Sequence, residues 1–347
     1  MQNPPRLMAI ATAVPPIEVR QAEIKGHAEH AFANRGVGIR RMLPVFDNAG
    51  VERRFFSVPI DWCAEPHGWA ARNRLYLAHA VDLLEAVSRQ CLEKAGLTVD
   101  EIDAIVAVSS TGVATPSLDA LVMERLGTRR DVKRLPIFGL GCAGGVIGLS
   151  RAAALAAAAP GSRVLFLVVE LCAMTFRPGD YSQSNIVATA LFGDGAAAVI
   201  LSTDADGPSL GAAGEHTWSQ SLDVMGWSVE DDSLGVIFSR DIPALVRERY
   251  RAALDQFLSD NGLRFDSIDT FVCHPGGAKV VAAFEEVFGL QTGTLRESRE
   301  VLRDYGNMSA ATVLFVLQRV IDSGTRGRRL VSALGPGFTA AFQILEG

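Results

Sequence analysis

From residue 91 the chain reads CLEKAGLTVDEIDAIVAVSSTG, where apolar positions first recur at helical spacing and then close into an unbroken run. The same order returns in FLSDNGLRFDSIDTFVCHPGG, which starts at residue 257. Each copy predicts a helix end, a Gly-Leu exit, an acidic turn, an Ile-Asp pair and a short buried strand closed by glycine. The pairs begin at Ile102 and Ile268, an offset of 166. The next elements keep step. GCAGGVIGLSRAA from Gly141 and GNMSAATVLFVLQRV from Gly306 are both glycine turns opening an apolar helix, offset by 165, which makes Cys142 and Asn307 pseudo-equivalent. A strand follows each helix (RVLFLVVE, RRLVSAL), and each half ends in a glycine-rich turn and a last strand (LFGDGAAAVIL, LGPGFTAAFQIL).

A duplicated unit of alternating strands and helices predicts an α/β protein with parallel or mixed sheets, covered by helices on both faces and built as two similar half-domains about a pseudo-twofold axis. The division falls at 1–203 and 204–347. The stretch from about 203 to 240 has no counterpart in order and reads as an insertion or linker region that shapes a pocket. Helical patterns around 23–35 and 69–94 suggest a cap over the first sheet.

With 347 residues, 48% of them apolar, the chain exceeds the size at which a single core keeps growing, in accord with two halves. A net charge of −6 without a basic block argues against a nucleic-acid partner. The five cysteines, 63, 91, 142, 172 and 273, suit neither a disulfide framework nor a zinc site and point to reduced cytoplasmic thiols. No signal-peptide core is visible, and no run reaches the roughly 18 apolar residues of a membrane span.

Gly139, Gly141 and Gly144 spell G-x-G-x-x-G between an apolar run and an alanine-rich helix, the spacing of a dinucleotide-binding turn, with Glu170 as the ribose acid. A cysteine at the tip of that turn supports another use. A thiol at a helix N-terminus meets the positive end of the dipole and free N–H groups, which favour a thiolate and can bind an oxyanion. His274 ends a predicted strand and is followed by Pro275, Gly276 and Gly277, which stop the strand and leave the imidazole at an edge. The other five histidines lack this setting. Asn307 reads as a plain helix N-cap or, through the repeat, as a second polar group facing Cys142.

The motifs GLGCAGG, LFGDGAAA, CHPGG, YGNMSAAT and LGPGF, in this order from about Arg53 to the C-terminus, closely resemble the type III polyketide synthase family, the chalcone and stilbene synthase-like enzymes. The resemblance implies a thiolase-like αβαβα layered fold, a homodimer and acyltransferase chemistry. Its triad falls on Cys142, His274 and Asn307, and its substrates are an acyl-CoA starter and malonyl-CoA, with no metal or redox cofactor. It also implies substrate-binding positions at Phe192, Thr175, Gly226, Val236 and Ser309, a bracing loop at Gly335, Pro336 and Gly337, and CoA contacts at Arg53 and Arg54. Val236 stands where plant members carry a second gatekeeping Phe, with Phe238 two residues on. The stretch MGWSVEDDSLGVIFSRDIP resembles bacterial members that take long-chain acyl starters. The family reaction is repeated decarboxylative condensation of malonyl-CoA onto the starter, followed by cyclisation to a pyrone, resorcinol or other phenolic product.

Three other readings stay open at this level. A single-round ketoacyl synthase of the initiating type shares the triad and the fold, though its histidine is typically followed by Gln-Ala-Asn. The glycine spacing keeps a NAD-dependent oxidoreductase in view. A non-catalytic scaffold would keep the fold alone.

Overall fold

The computed structural model describes residues 3–32 and 42–347. Its strands in chain order are β1 (Arg6–Ala13), β2 (Ile17–Arg20), β3 (Arg53–Phe56), β4 (Ala104–Val108), β5 (Lys133–Ile137), β6 (Val164–Leu171) and β7 (Asp194–Ser202), then β8 (Ser209–Thr217), β9 (Met225–Val229), β10 (Leu234–Phe238), β11 (Thr270–Cys273), β12 (Arg328–Gly335) and β13 (Thr339–Glu346). The helices that matter below are α1 (Gln21–Phe32), α2 (Trp69–Ala95), α3 (Gly144–Ala158), α4 (Gln183–Leu191), α5 (Arg251–Asp260), α6 (Ala278–Phe288) and α7 (Thr312–Asp322).

Nine strands form one mixed sheet in the order β11-β12-β13-β8-β1-β7-β6-β4-β5. Counted outward from its middle, β1, β7, β6 and β4 pair antiparallel, antiparallel and parallel. On the other side β8, β13, β12 and β11 pair in the same three senses. The repeat read from the sequence is therefore a repeat of topology, and the halves meet through one pair, Arg6 with Ser209. β5 extends only the first half.

Side-chain alternation along β6 shows the layering. Leu165, Leu167 and Val169 pack with α2 in an outer core, while Val164, Phe166 and Val168 pack inward against α3 and α7. A third core lies under α5 and α6 on the far side of the second half. The order is helix, sheet, central helix pair, sheet, helix, which is the αβαβα expectation. A strand buried on both faces has no polar side, so β6 reads as a continuous apolar run.

Two expectations change. The stretch 203–240 is not wholly an insertion, because it contains β8, the counterpart of β1. SLGAAGEHT escaped notice because only Leu210 is buried along it. Only the β9–β10 hairpin is additional. The N-terminal ninety residues likewise do more than cap, since β1 lies at the sheet's centre. The helix expected over 23–35 is α1, and residues 33–41 lie outside the described ones. Gly141–Ala158 does carry enough apolar character to span a bilayer, with mean hydropathy 1.4 over 18 residues, but 72% of it is buried within the protein, as in a core helix.

The central helices approach closely because α3 begins with glycines. A Cβ on Gly145 would stand 2.2 Å from the Ala310 carbonyl oxygen. Gly145→Ala is expected to destabilise the fold by about 1–3 kcal/mol. Gly26→Ala, in α1 with open space around it, is expected to be neutral or stabilising by up to about 1 kcal/mol. Urea denaturation of both variants checks the pair.

Candidate active site

After β5 the chain must turn sharply to start α3. Gly139 and Gly141 take φ of 90° and 46°, a left-handed region that glycine enters at little cost. A Cβ on Gly141 would also lie 2.7 Å from Pro336. Cys142 occupies the tight turn Gly141–Ala143 that runs directly into α3, at the positive end of the helix dipole.

The matching turn of the second half carries Asn307, and four hydrogen bonds fix it. Its backbone N–H donates to the Leu191 carbonyl (2.8 Å), and its carbonyl accepts from Gly193 (3.0 Å). Its Oδ1 accepts from the Ser309 N–H (2.8 Å), and its Nδ2 donates to the Gly276 carbonyl (3.3 Å). Ser309 is held at φ 48°, which costs a non-glycine residue about 1–2 kcal/mol, and its Oγ lies 3.8 Å from the Cys142 sulfur.

His274 follows β11 directly. Its N–H donates to the Ser332 carbonyl (2.8 Å), and Pro275 then ends the ladder. The imidazole is buried, and neither ring nitrogen has a hydrogen-bond partner among the described residues. Contacts thus run from Cys142 to Ser309, from Ser309 to Asn307, and from Asn307 to the turn that carries His274. No hydrogen bond joins His274 to Cys142. Burial pushes the Cys142 thiol up to about 12, against a smaller downward pull from bonds with Ser309 and Asn307. Burial likewise pushes His274 down to about 3, so both groups rest neutral.

Three spaces lie in series. An outer cleft runs past Gly276, Gly277, Lys279 and Arg240 to Phe238. Phe238 also walls a small chamber, onto which Cys142, Ser309, Gly226 and Pro336 open. Phe192 and Val236 wall that chamber together with a second, inner space, where Thr175 lies. Gly335 packs on the cysteine turn, where a Cβ would meet the Leu140 carbonyl oxygen at 2.6 Å, and Gly337 turns the loop with φ 75°.

Family models for the N-terminal and C-terminal domains of chalcone and stilbene synthases match residues 63–205 and 212–345. The chain belongs to the chalcone and stilbene synthase family. It is 37% identical to a putative chalcone synthase of Bacillus subtilis, covering 98% of each chain. It is also 37% identical to a 1,3,6,8-tetrahydroxynaphthalene synthase of Streptomyces peucetius, covering 97% of this chain and 92% of that one. Among solved structures, a bacterial type III polyketide synthase, the tetrahydroxynaphthalene synthase of Streptomyces coelicolor, superimposes with a TM-score of 0.93 at 27% identity over 98% of each chain.

Within this chalcone synthase-like frame the CoA contact expected of Arg54 needs correction. Arg54 is fully buried and donates to the carbonyls of Thr189 (2.9 Å), Ala190 (2.7 Å) and Phe192 (2.8 Å) and to Gln21. It caps the C-terminus of α4, whose last carbonyls have no helical partner, and cannot reach a phosphate. Arg53 is exposed and faces Glu18 across the β2–β3 hairpin at 3.6 Å. The exposed cations on that wall are Lys279 and Arg240.

Glu170 was read only as a ribose acid, and its actual place is in the core. It sits on the inward face of β6, where its Oε2 accepts from Ser110 N–H (3.0 Å) and Thr111 Oγ1 (2.8 Å). Oε1 has no partner, and burial pushes the carboxyl up to about 7. The folded state therefore holds this proton more tightly than the unfolded chain, and stability falls as pH rises from about 4.5 to 7. Wild type is expected to lose stability relative to Glu170→Gln across that window. Asp194, raised to about 6 by burial, acts in the same sense but is common to both proteins. Urea midpoints at half-unit pH steps measure the difference.

Proposed function

We propose that the protein is an iterative condensing enzyme that loads an acyl-CoA starter on Cys142 and extends it with malonyl-CoA. The observation that carries this reading is a buried imidazole with both nitrogens unpartnered, on a turn tied by Asn307 to a thiol at a helix N-terminus. A buried polar group left unpaired is costly, and a substrate carbonyl would satisfy it.

His274 takes the Cys142 proton, and the two new charges stabilise each other where burial alone favours neither. The thiolate adds to the starter's thioester carbonyl, and CoA leaves as its thiol with the proton from His274. Malonyl-CoA then loses carbon dioxide, and His274 and Asn307 donate to the thioester oxygen that becomes the enolate. The enolate carbon attacks the Cys142 thioester, a carbon–carbon bond forms, and the sulfur departs. The β-keto thioester reloads on Cys142 for the next round. This sequence uses only the side chains and the two thioesters. Lys279 and Arg240 face the phosphates of CoA in the outer cleft.

The halves 1–203 and 204–347 each supply one wall of the site in this reading, and the protein works as a cytoplasmic homodimer. Val113 (47% exposed) and Phe138 (60%) follow the parallel neighbours β4 and β5 and give that end of the sheet an apolar face for a second copy.

Incubation with malonyl-CoA and short acyl-CoA starters should give products containing several malonyl units by mass spectrometry. A single unit would favour the initiating ketoacyl synthase. Cys142→Ala should abolish extended products while leaving malonyl-CoA decarboxylation, and Asn307→Ala should slow decarboxylation about 100-fold or more. A separate expectation is that Lys279→Ala raises the KM for malonyl-CoA several-fold and leaves kcat unchanged, read from initial rates.

A further inference from the structure

We propose that Ser221 and Thr217 are positioning residues that fix the floor of the Cys142 chamber against its far wall, and so set how many malonyl units a product contains. This rests on the condensing activity proposed above. The floor is Pro336, in the turn between β12 and β13, and the wall is the β9–β10 hairpin with Met225, Gly226, Trp227 and Val236. The three carbonyls of that turn are all tied to residues 217–221. Thr339 Oγ1 donates to the Pro336 carbonyl (3.3 Å) and meets Thr217 Oγ1 at 2.8 Å where the β8–β13 ladder ends, which leaves Thr217 as the donor of that pair. Ser221 Oγ lies 3.1 Å from the Gly337 carbonyl and 2.7 Å from the Trp218 carbonyl and shares its proton between them. The Trp218 N–H donates to the Phe338 carbonyl (3.2 Å), and the two rings pack at 4.9 Å.

Ser221 also reaches the wall. Its carbonyl accepts from the Val224 N–H (3.2 Å), which closes the turn into β9, and the Val224 carbonyl accepts from the Ser239 N–H (2.8 Å) just past the end of β10. One buried residue therefore joins the floor to both strands of the wall. Two residues at this joint hold left-handed backbone without being glycine, Gln220 at φ 55° and Phe338 at φ 44°. Such backbone persists only where its surroundings over-determine it, and the bonds above supply that constraint. A floor and a wall fixed to each other enclose a fixed space, and each round adds two carbons to the chain that must fit there. Asn307 and the His274 turn are held by separate bonds, so loss of this joint changes where extension stops and leaves the loading of Cys142 alone.

The test compares wild type with Ser221→Ala, Thr217→Val and Thr217→Ser, using one short acyl-CoA starter that wild type accepts. Mass spectrometry reads two quantities: the rate at which the starter alone acylates Cys142, and the distribution of malonyl units among products once malonyl-CoA is added. Acylation is expected to match wild type in every variant. In Ser221→Ala and Thr217→Val, products one unit longer or shorter than the main wild-type product should rise about fivefold relative to it, the partition that one lost hydrogen bond is worth. Thr217→Ser keeps the hydroxyl and should restore the wild-type distribution. An unchanged distribution in Thr217→Val overturns the proposal even if total product falls, because a bond that only supports the fold lowers all products in proportion. Failure of Thr217→Ser to restore the distribution overturns it as well. Thr217 is exposed at the end of β8, so its variants decide the matter should Ser221→Ala fail to fold. Failure of the underlying reading looks different: wild type would give no condensed product with any short acyl-CoA starter, or single-unit products only.

Discussion

Everything at the site depends on how closely the N-terminal ends of α3 and α7 pack in the central layer. Gly145 accepts the Ala310 carbonyl oxygen where any side chain would strike it, and Gly144 gives way to Val108 and Ala310. That contact puts the Cys142 turn against the Ser309–Ala311 turn, and the thiol and the carboxamide reach one point from the two halves of a repeated topology. Both helices present their N-termini there, so two positive dipole ends converge where an anion must form. Each half-domain alone has one such end and no facing partner.

Convergence comes at an electrostatic cost that the site exploits. Cys142, His274 and Glu170 lie in a layer that resists charge, and each is shifted toward its neutral form by burial. In such surroundings a lone thiolate is unfavourable, whereas moving a proton from sulfur to imidazole creates two charges that attract strongly at low dielectric. The same dryness strengthens any hydrogen bond to a developing enolate and keeps water from a thioester on Cys142. Asn307 is held by bonds at both ends of its carboxamide, so its geometry is set before substrate arrives.

The repeat was legible because both copies kept their turn residues. Gly-Leu exits, Ile-Asp pairs and glycine turns survive where backbone geometry demands them, and from these the two halves and the matching turns of Cys142 and Asn307 were read. β8 was missed because half its length faces solvent and its alanines and glycines show no alternation. Arg54 was misread for the opposite reason. Arg53 and Arg54 differ in fate by the single-residue alternation of a strand, one side chain out toward Glu18 and the next in under α4. Sequence gives the charge of such a pair but does not say which member is buried until the register is known. Glu170 is a similar case, since a carboxylate next to last in VLFLVVEL reads as a strand end, and only the inward face of β6 explains it.

Arg54 also shows how the compartments are held apart. By accepting a place in the core it satisfies the last carbonyls of α4 and that of Phe192, and burial lowers its pKa only to about 9, so it stays charged at neutral pH. Phe192 is consequently fixed by its own backbone, by the Phe192–Asn307 bridge and by an edge contact with Trp227 at 6.1 Å. A partition held on three sides separates the chamber at Cys142 from the inner cavity without having to fill either. The residue that fixes the partition is thus tied to the turn that carries Asn307, and the spacing between the reacting carbonyl and the space beyond it is set by one rigid unit. Changing what that space accepts is then a matter of the walls around it, while the chemistry in front of Phe192 keeps the same coordinates.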